Sequence, residues 1–226
     1  MPPITPMVQN IIIACGIIWL LQVSEAFDYT AFMVSRPQFA IWQPFTYMWL
    51  HDHESIFHVL MNMFALYLFG TQLESVWGSK RFLRFYLICG IFAGFLIFGW
   101  DVVRGNMAPT LGASGAVYGV LTAYSLTWPN RTIMLLFPPI PIRAIYLIPL
   151  LFLMQLSMAT NVSHIGHLGG VIAALLMMRG ELPQLLSLQG MRYRWHRYRM
   201  RGRLRAVRRE EWQRRSGSDR DGPTLH

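Results

Sequence analysis

The chain reads as an all-α membrane protein, a bundle of six transmembrane helices followed by a basic cytoplasmic C-terminal tail. Three observations predict this. Hydrophobic residues make up 54% of the 226 positions and mean hydropathy is +0.34, above the apolar share of an ordinary soluble domain. Six apolar runs, about 8–24, 55–73, 82–100, 113–128, 143–159 and 162–178, approach the roughly 17–25 residues that a bilayer core requires. The net charge of +9 is concentrated at one end, because 13 of the 20 basic residues, all arginine, fall within the last 48 positions. The chain therefore divides into a short N-terminal segment (1–7), a six-span domain (8–179) and an Arg-rich tail (180–226).

The first run lacks a basic leader and a cleavage site, so it is expected to be a retained span rather than a removable signal. No Arg-rich amphipathic pattern of an organelle transit peptide precedes it. Cys15 and Cys89 lie inside apolar runs and read as packing residues. The fourth and sixth runs are short for full spans. The fifth follows Phe137-Pro138-Pro139-Ile140-Pro141, which cannot continue a helix and is expected to loop along the membrane surface.

Orientation follows from the basic residues of the connections. Lys80, Arg81 and Arg84 lie in the 74–84 connection, Arg131 and Arg143 in the 129–143 connection, and 13 arginines from Arg179 onward. The opposite side carries only Arg36 and Arg104. Both termini are thus expected in the cytoplasm, and the expected setting is a bacterial cell (inner) membrane. Spans two, four and six then all run inward from the outer face. Their polar residues, His58 and Asn62, Ser114, and His167, all lie near the starts, within roughly 10 Å of the outer boundary at about 1.5 Å per residue.

Polar groups at the mouth of an apolar span cost free energy and call for a reason. Ser114, flanked by Gly112 and Gly115, has room for a close backbone approach. A serine and a histidine on separate helices are the parts of a nucleophile with its base. Gly115 and Gly119 form one small-residue stripe and Gly166, Gly170 and Ala174 another. If the stripes meet, the two helices approach closely enough for Ser114 and His167 to share a hydrogen bond. No Asp or Glu lies in spans four to six, so a dyad is the economical reading. Tyr118, four residues after Ser114, shares its helix face and could stack on the imidazole. His58 and Asn62, at i and i+4, project together and with the Ser114 amide could supply oxyanion donors.

The segment His53-Glu54-Ser55-Ile56-Phe57-His58 nearly matches the zinc-protease pattern H-E-x-x-H, but it is one residue too long. Its histidines sit about 140° apart around a helix and cannot share a metal from one face. No metal or other cofactor is expected.

These elements in order resemble the rhomboid family of intramembrane serine proteases. The resemblance runs from His53 to Ala174. It rests on His53-x4-His58-x3-Asn62, Gly70 and Glu74 leading to Trp77-Gly78-x2-Arg81-Phe82, then Gly112-x-Ser114-Gly115, and Gly166-His167-x2-Gly170, where the family usually has alanine in place of Gly166. It implies a Ser114–His167 dyad, an oxyanion site from His58, Asn62 and the Ser114 amide, and Tyr118 packed on His167. It implies that the 25–54 connection is a partly embedded surface loop. It also implies that transmembrane protein substrates are cut near the outer face without a cofactor. A non-proteolytic rhomboid-like protein that binds membrane clients is the main alternative, and a proton-coupled transporter is disfavoured by the lack of an acidic residue in mid-span.

In the tail, arginine occupies every second position from 197 to 205, which places no apolar stripe on a helix. The tail is expected to lie on anionic lipid headgroups, gaining about 1 kcal/mol per arginine near the surface. Nucleic-acid binding through Tyr193, Trp195, Tyr198 and Trp212 is the lesser alternative. Residues 216–226 are expected to be partly disordered.

Overall fold

A computed structural model describes residues 3–35, 38–105, 108–135, 139–157 and 164–179. The predicted tail lies outside them. The elements in order are α1 (Pro6–Val23), α2 (Gln43–Thr46), α3 (Ile56–Ala65), α4 (Thr71–Trp77), α5 (Ser79–Arg104), α6 (Ser114–Thr127), β1 (Thr132–Met134), β2 (Pro141–Arg143), α7 (Leu147–Ser157) and α8 (His164–Met177). One π-helical turn, Leu66–Gly70, joins α3 to α4, so Ile56–Trp77 is a single apolar rod. That rod, α1 and α5 are long and apolar enough to cross a membrane. The helices α6, α7 and α8 have 14, 11 and 14 residues, or about 21 Å at most against a core of about 30 Å.

Each element has a local cause. Pro6 sits in the first turn of α1, where its missing N–H is not needed. The two N–H groups of that turn without a partner inside the helix, on Met7 and Val8, donate instead to the Glu74 carboxylate at 2.9 Å each. Thr5 Oγ1 and Ser79 Oγ donate to the same carboxylate at 2.5 Å each. One buried acid thus caps α1 and ties it to the α4–α5 junction. Large apolar side chains left open on α1, such as Ile17 at 54% and Leu20 at 60% exposure, form the face a lipid environment would cover.

The tightest packing is among α5, α6 and α8. Small residues make it possible. A Cβ on Gly170 of α8 would fall on the carbonyl oxygen of Gly115 of α6, and one on Gly119 would meet Cys89 Sγ of α5 at 2.6 Å. A Cβ on Gly169 would meet Ala93 Cα at 2.7 Å. The segment between α1 and α3 docks on α5 by the same device, with Pro44 against Gly94 and Met48 against Gly90. Cys89 is buried in these contacts, and Cys15 of α1 is buried as well.

The boundaries differ from the sequence reading in three places. The connection expected over 74–84 is reduced to Gly78, which has a φ of 79°, and Lys80, Arg81 and Arg84 stand on the first turns of α5. Arg81 lies over the Trp77 ring at 4.9 Å, a cation–π contact that lets a basic residue occupy the helix start. Where a plain surface loop was expected, β1 and β2 pair antiparallel, Ile133 opposite Ile142. Beyond the paired residues the Leu135 N–H donates to Ile140 O at 3.1 Å, so the hairpin pairs backbone groups that no helix holds. The fifth helix consequently starts later than position 143, after a 3-10 turn at Ala144–Tyr146.

Candidate active site

Ser114 is the first residue of α6 and is partly open. The chain leading to it is held on both sides. Val34 and Thr110 exchange two backbone hydrogen bonds, of 2.9 and 2.8 Å, and the Gly112 N–H donates to Tyr47 O at 3.0 Å. Tyr47 is itself fixed by its hydroxyl donating to Gly90 O at 2.8 Å. Gly112 has a φ of 127°, which glycine tolerates and other residues do not. As the first residue of a helix, Ser114 has a backbone N–H with no partner inside the helix.

His58 enters this corner from α3. A Cβ on Gly112 would stand 3.0 Å from His58 Nε2 and 3.9 Å from Ser114 Oγ. His58 Nδ1 accepts the Asp52 N–H at 3.2 Å, so the neutral ring carries its proton on Nε2. A hydrogen-bond donor is therefore aimed beside the serine. Asn62, one turn on and buried, donates one Nδ2 hydrogen to the His58 carbonyl at 2.8 Å; the amide carries a second. His51, in the connection before α3, is wholly buried, with its ring 5.3 Å from that of His58. Burial first, and then His58, pushes its imidazole down to about 3, so it stays neutral.

His167 lies in the first turns of α8, buried under the Tyr118 ring. The two rings are stacked, with centroids 4.1 Å apart and planes 9° from parallel. The backbone around them is in contact: Gly166 O lies 3.2 Å from where a Cβ on Gly115 would be. Ser114 and His167, each adjacent to one of those glycines, thus occupy facing turns. The sequence reading missed Gln155 of α7. Its Oε1 is 3.1 Å from His167 Nδ1 and 3.2 Å from His164 Nδ1, and its Nε2 donates to the Tyr118 hydroxyl. The available signal was a lone amide in an apolar run.

The structure sets His58 against Gly112 beside Ser114, Gly115 against Gly166, and His167 under Tyr118, with Asn62 held to the His58 carbonyl. It leaves His53 outside, exposed, with its Nδ1 against the Tyr29 hydroxyl at 2.8 Å. Among the described residues, no three His, Cys, Asp or Glu side chains stand together as metal ligands. At the far end of α4 and α6, Arg131 lies 5.8 Å over Trp128. The arrangement offers a hydroxyl, a nearby imidazole and N–H donors, the parts needed for acyl transfer.

The rhomboid domain family matches residues 38–183. Rhomboid protein 1, mitochondrial, of Saccharomyces cerevisiae is 39% identical over 93 residues, 40% of this chain and 27% of that protein. The human presenilin-associated rhomboid-like protein, mitochondrial, is 33% identical over 88 residues, 39% of this chain and 23% of that protein. RHOMBOID-like protein 1 of Arabidopsis thaliana is 32% identical over 142 residues, 61% of this chain and 33% of that protein. The chain matches a third or less of the length of each of these relatives.

Proposed function

We propose, for a chain that belongs to the rhomboid family, the function of an intramembrane serine endopeptidase. Ser114 Oγ attacks a peptide carbonyl while His167 takes its proton, and the imidazolium then protonates the leaving amine. Water, activated in turn by His167, hydrolyses the acyl-enzyme. The oxyanion of each tetrahedral intermediate is met by the Ser114 N–H, His58 Nε2–H and the second Nδ2 hydrogen of Asn62. Gly112 keeps a side chain out of the corner between His58 and Ser114, and Gly115 lets α8 come close.

The observation that carries this reading is the packing of α6 on α8. Gly115 against Gly166 and Gly170 brings a helix-start serine and a buried, ring-stacked histidine onto facing turns. The test is a fluorophosphonate probe in lipid. Labelling should occur on Ser114 in the wild type and be absent from Ser114→Ala and His167→Ala. An unlabelled, folded wild type would instead favour a rhomboid-like protein that binds membrane clients without cutting them.

The substrates inferred are single-span membrane proteins. A substrate helix has its carbonyls bonded internally and must unwind before Ser114 can reach one. All six helical segments, the three short ones included, are read as spans, and the arginine-rich side is read as the inner side, holding both termini. The mitochondrial names of two relatives give no support to the bacterial cell membrane expected above. The Arg-rich tail is read as resting on anionic headgroups.

A further inference from the structure

We infer that Gln155 is a positioning residue that sets the tautomer of His167, an inference that rests on the serine-protease reading. An amide oxygen can only accept a hydrogen bond. At 3.1 Å from Gln155 Oε1, His167 Nδ1 must therefore carry the proton. That leaves the lone pair of the neutral ring on Nε2, the form in which a base can take a proton from a serine hydroxyl. The other end of the amide, Nε2, donates to the Tyr118 hydroxyl. Tyr118 is in turn wedged between His167, on which it stacks, and Phe152 of α7, whose ring it meets edge-on at 5.7 Å. One side chain thus touches both members of the stack.

The role matches what a carboxylate does in a full triad, without the charge. The six-span body has no Asp or Glu in its last three apolar runs, and an amide there avoids burying an unpaired anion. The ionisable groups that face His167 are His164 on its own helix, His58 on α3 and Tyr118 on α6. From α5 it is Ala93, a neutral residue, that packs on the neighbouring Gly169. His164 Nδ1 also approaches Gln155 Oε1, at 3.2 Å, but His164 is exposed and His167 is buried.

The test uses the full chain in lipid with a cleavable single-span substrate, comparing the wild type with Gln155→Leu and Gln155→Glu. Gln155→Leu removes the acceptor at similar size. It should lower kcat on the order of ten-fold, a fraction of the roughly 10²–10⁴ that a general base contributes, and leave KM unchanged. Gln155→Glu keeps an acceptor and adds a negative charge, which favours the protonated imidazole. It should keep cleaving, with the acid limb of its kcat/KM profile moved to higher pH, because a higher pH is then needed to free the base. A structural role alone does not move that limb, and Gln155→Glu serves where Gln155→Leu does not fold. Wild-type kcat in Gln155→Leu, or an unmoved acid limb in Gln155→Glu, overturns the role of Gln155. Failure of the wild type itself to react at Ser114 removes the protease reading instead, so the two failures are distinguishable.

Discussion

The phenol ring of Tyr118 lies flat on the imidazole of His167, 4.1 Å away and 9° from parallel. A stack of this kind is worth about 0.5–1.5 kcal/mol, and it fixes the plane of the ring proposed as the base. Tyr118→Phe keeps the plate and should cleave within a few-fold of wild type. Tyr118→Ala removes it and should lower kcat by about two- to ten-fold, the same energy expressed as a rate. Kinetics with a model substrate decide this, and equal loss in both variants would mean that the hydroxyl, rather than the ring, does the holding.

Gly112 should not tolerate a side chain. Its φ of 127° strains any L-residue, and a Cβ there would press on the His58 ring at 3.0 Å. Gly112→Ala is expected to impair turnover while leaving Ser114 and His167 in place, with a stability loss of about 1–2 kcal/mol. Turnover and melting temperature read the two effects separately. Wild-type turnover in Gly112→Ala would contradict the proposed geometry of the oxyanion corner.

Within that corner, His58 should matter more than Asn62. His58 presents Nε2–H beside Ser114, whereas the Asn62 amide already spends one hydrogen on the His58 carbonyl. Losing an oxyanion donor costs about 10²–10³ in kcat, so His58→Ala should approach that loss and Asn62→Ala should fall short of it. Unchanged kcat in both variants, at equal expression, would remove the oxyanion role.

Much of this corner could be read from the sequence, because helix starts and small-residue spacing are local properties. The stripe of Gly115 and Gly119 announces that another backbone comes close, and the Gly166–Gly170 stripe is the one that meets it. Gln155 could not be read in the same way. Whether a polar residue in an apolar run faces the site or the lipid depends on how α7 packs, and neighbouring sequence does not encode that. The hairpin of β1 and β2 was hidden for a related reason: its strands are three residues each and rich in proline on one side, too short for a period to show. The shortening of the connection between the second and third runs to Gly78 was masked by the charges of Lys80, Arg81 and Arg84, which look like a loop until Trp77 is seen under Arg81.

Glu74 gives a prediction remote from the chemistry. Its carboxylate accepts from Thr5, Met7, Val8 and Ser79, and an orphaned buried polar group costs about 1–3 kcal/mol. Glu74→Ala should lower the melting temperature in detergent clearly, yet protein still folded at low temperature should label at Ser114 as the wild type does. An unchanged melting temperature would show that the α1 cap contributes nothing to stability.

Cleavage of a single-span substrate by purified protein in lipid vesicles, wild type against Ser114→Ala, tests the central claim most directly. The account predicts that the wild type cuts the substrate in the outer third of its span or just outside it, faster when a helix-breaking Gly or Pro lies there, and that Ser114→Ala does not cut at all. Cleavage by Ser114→Ala at near the wild-type rate would contradict it, as would product termini mapped to the inner third of the span.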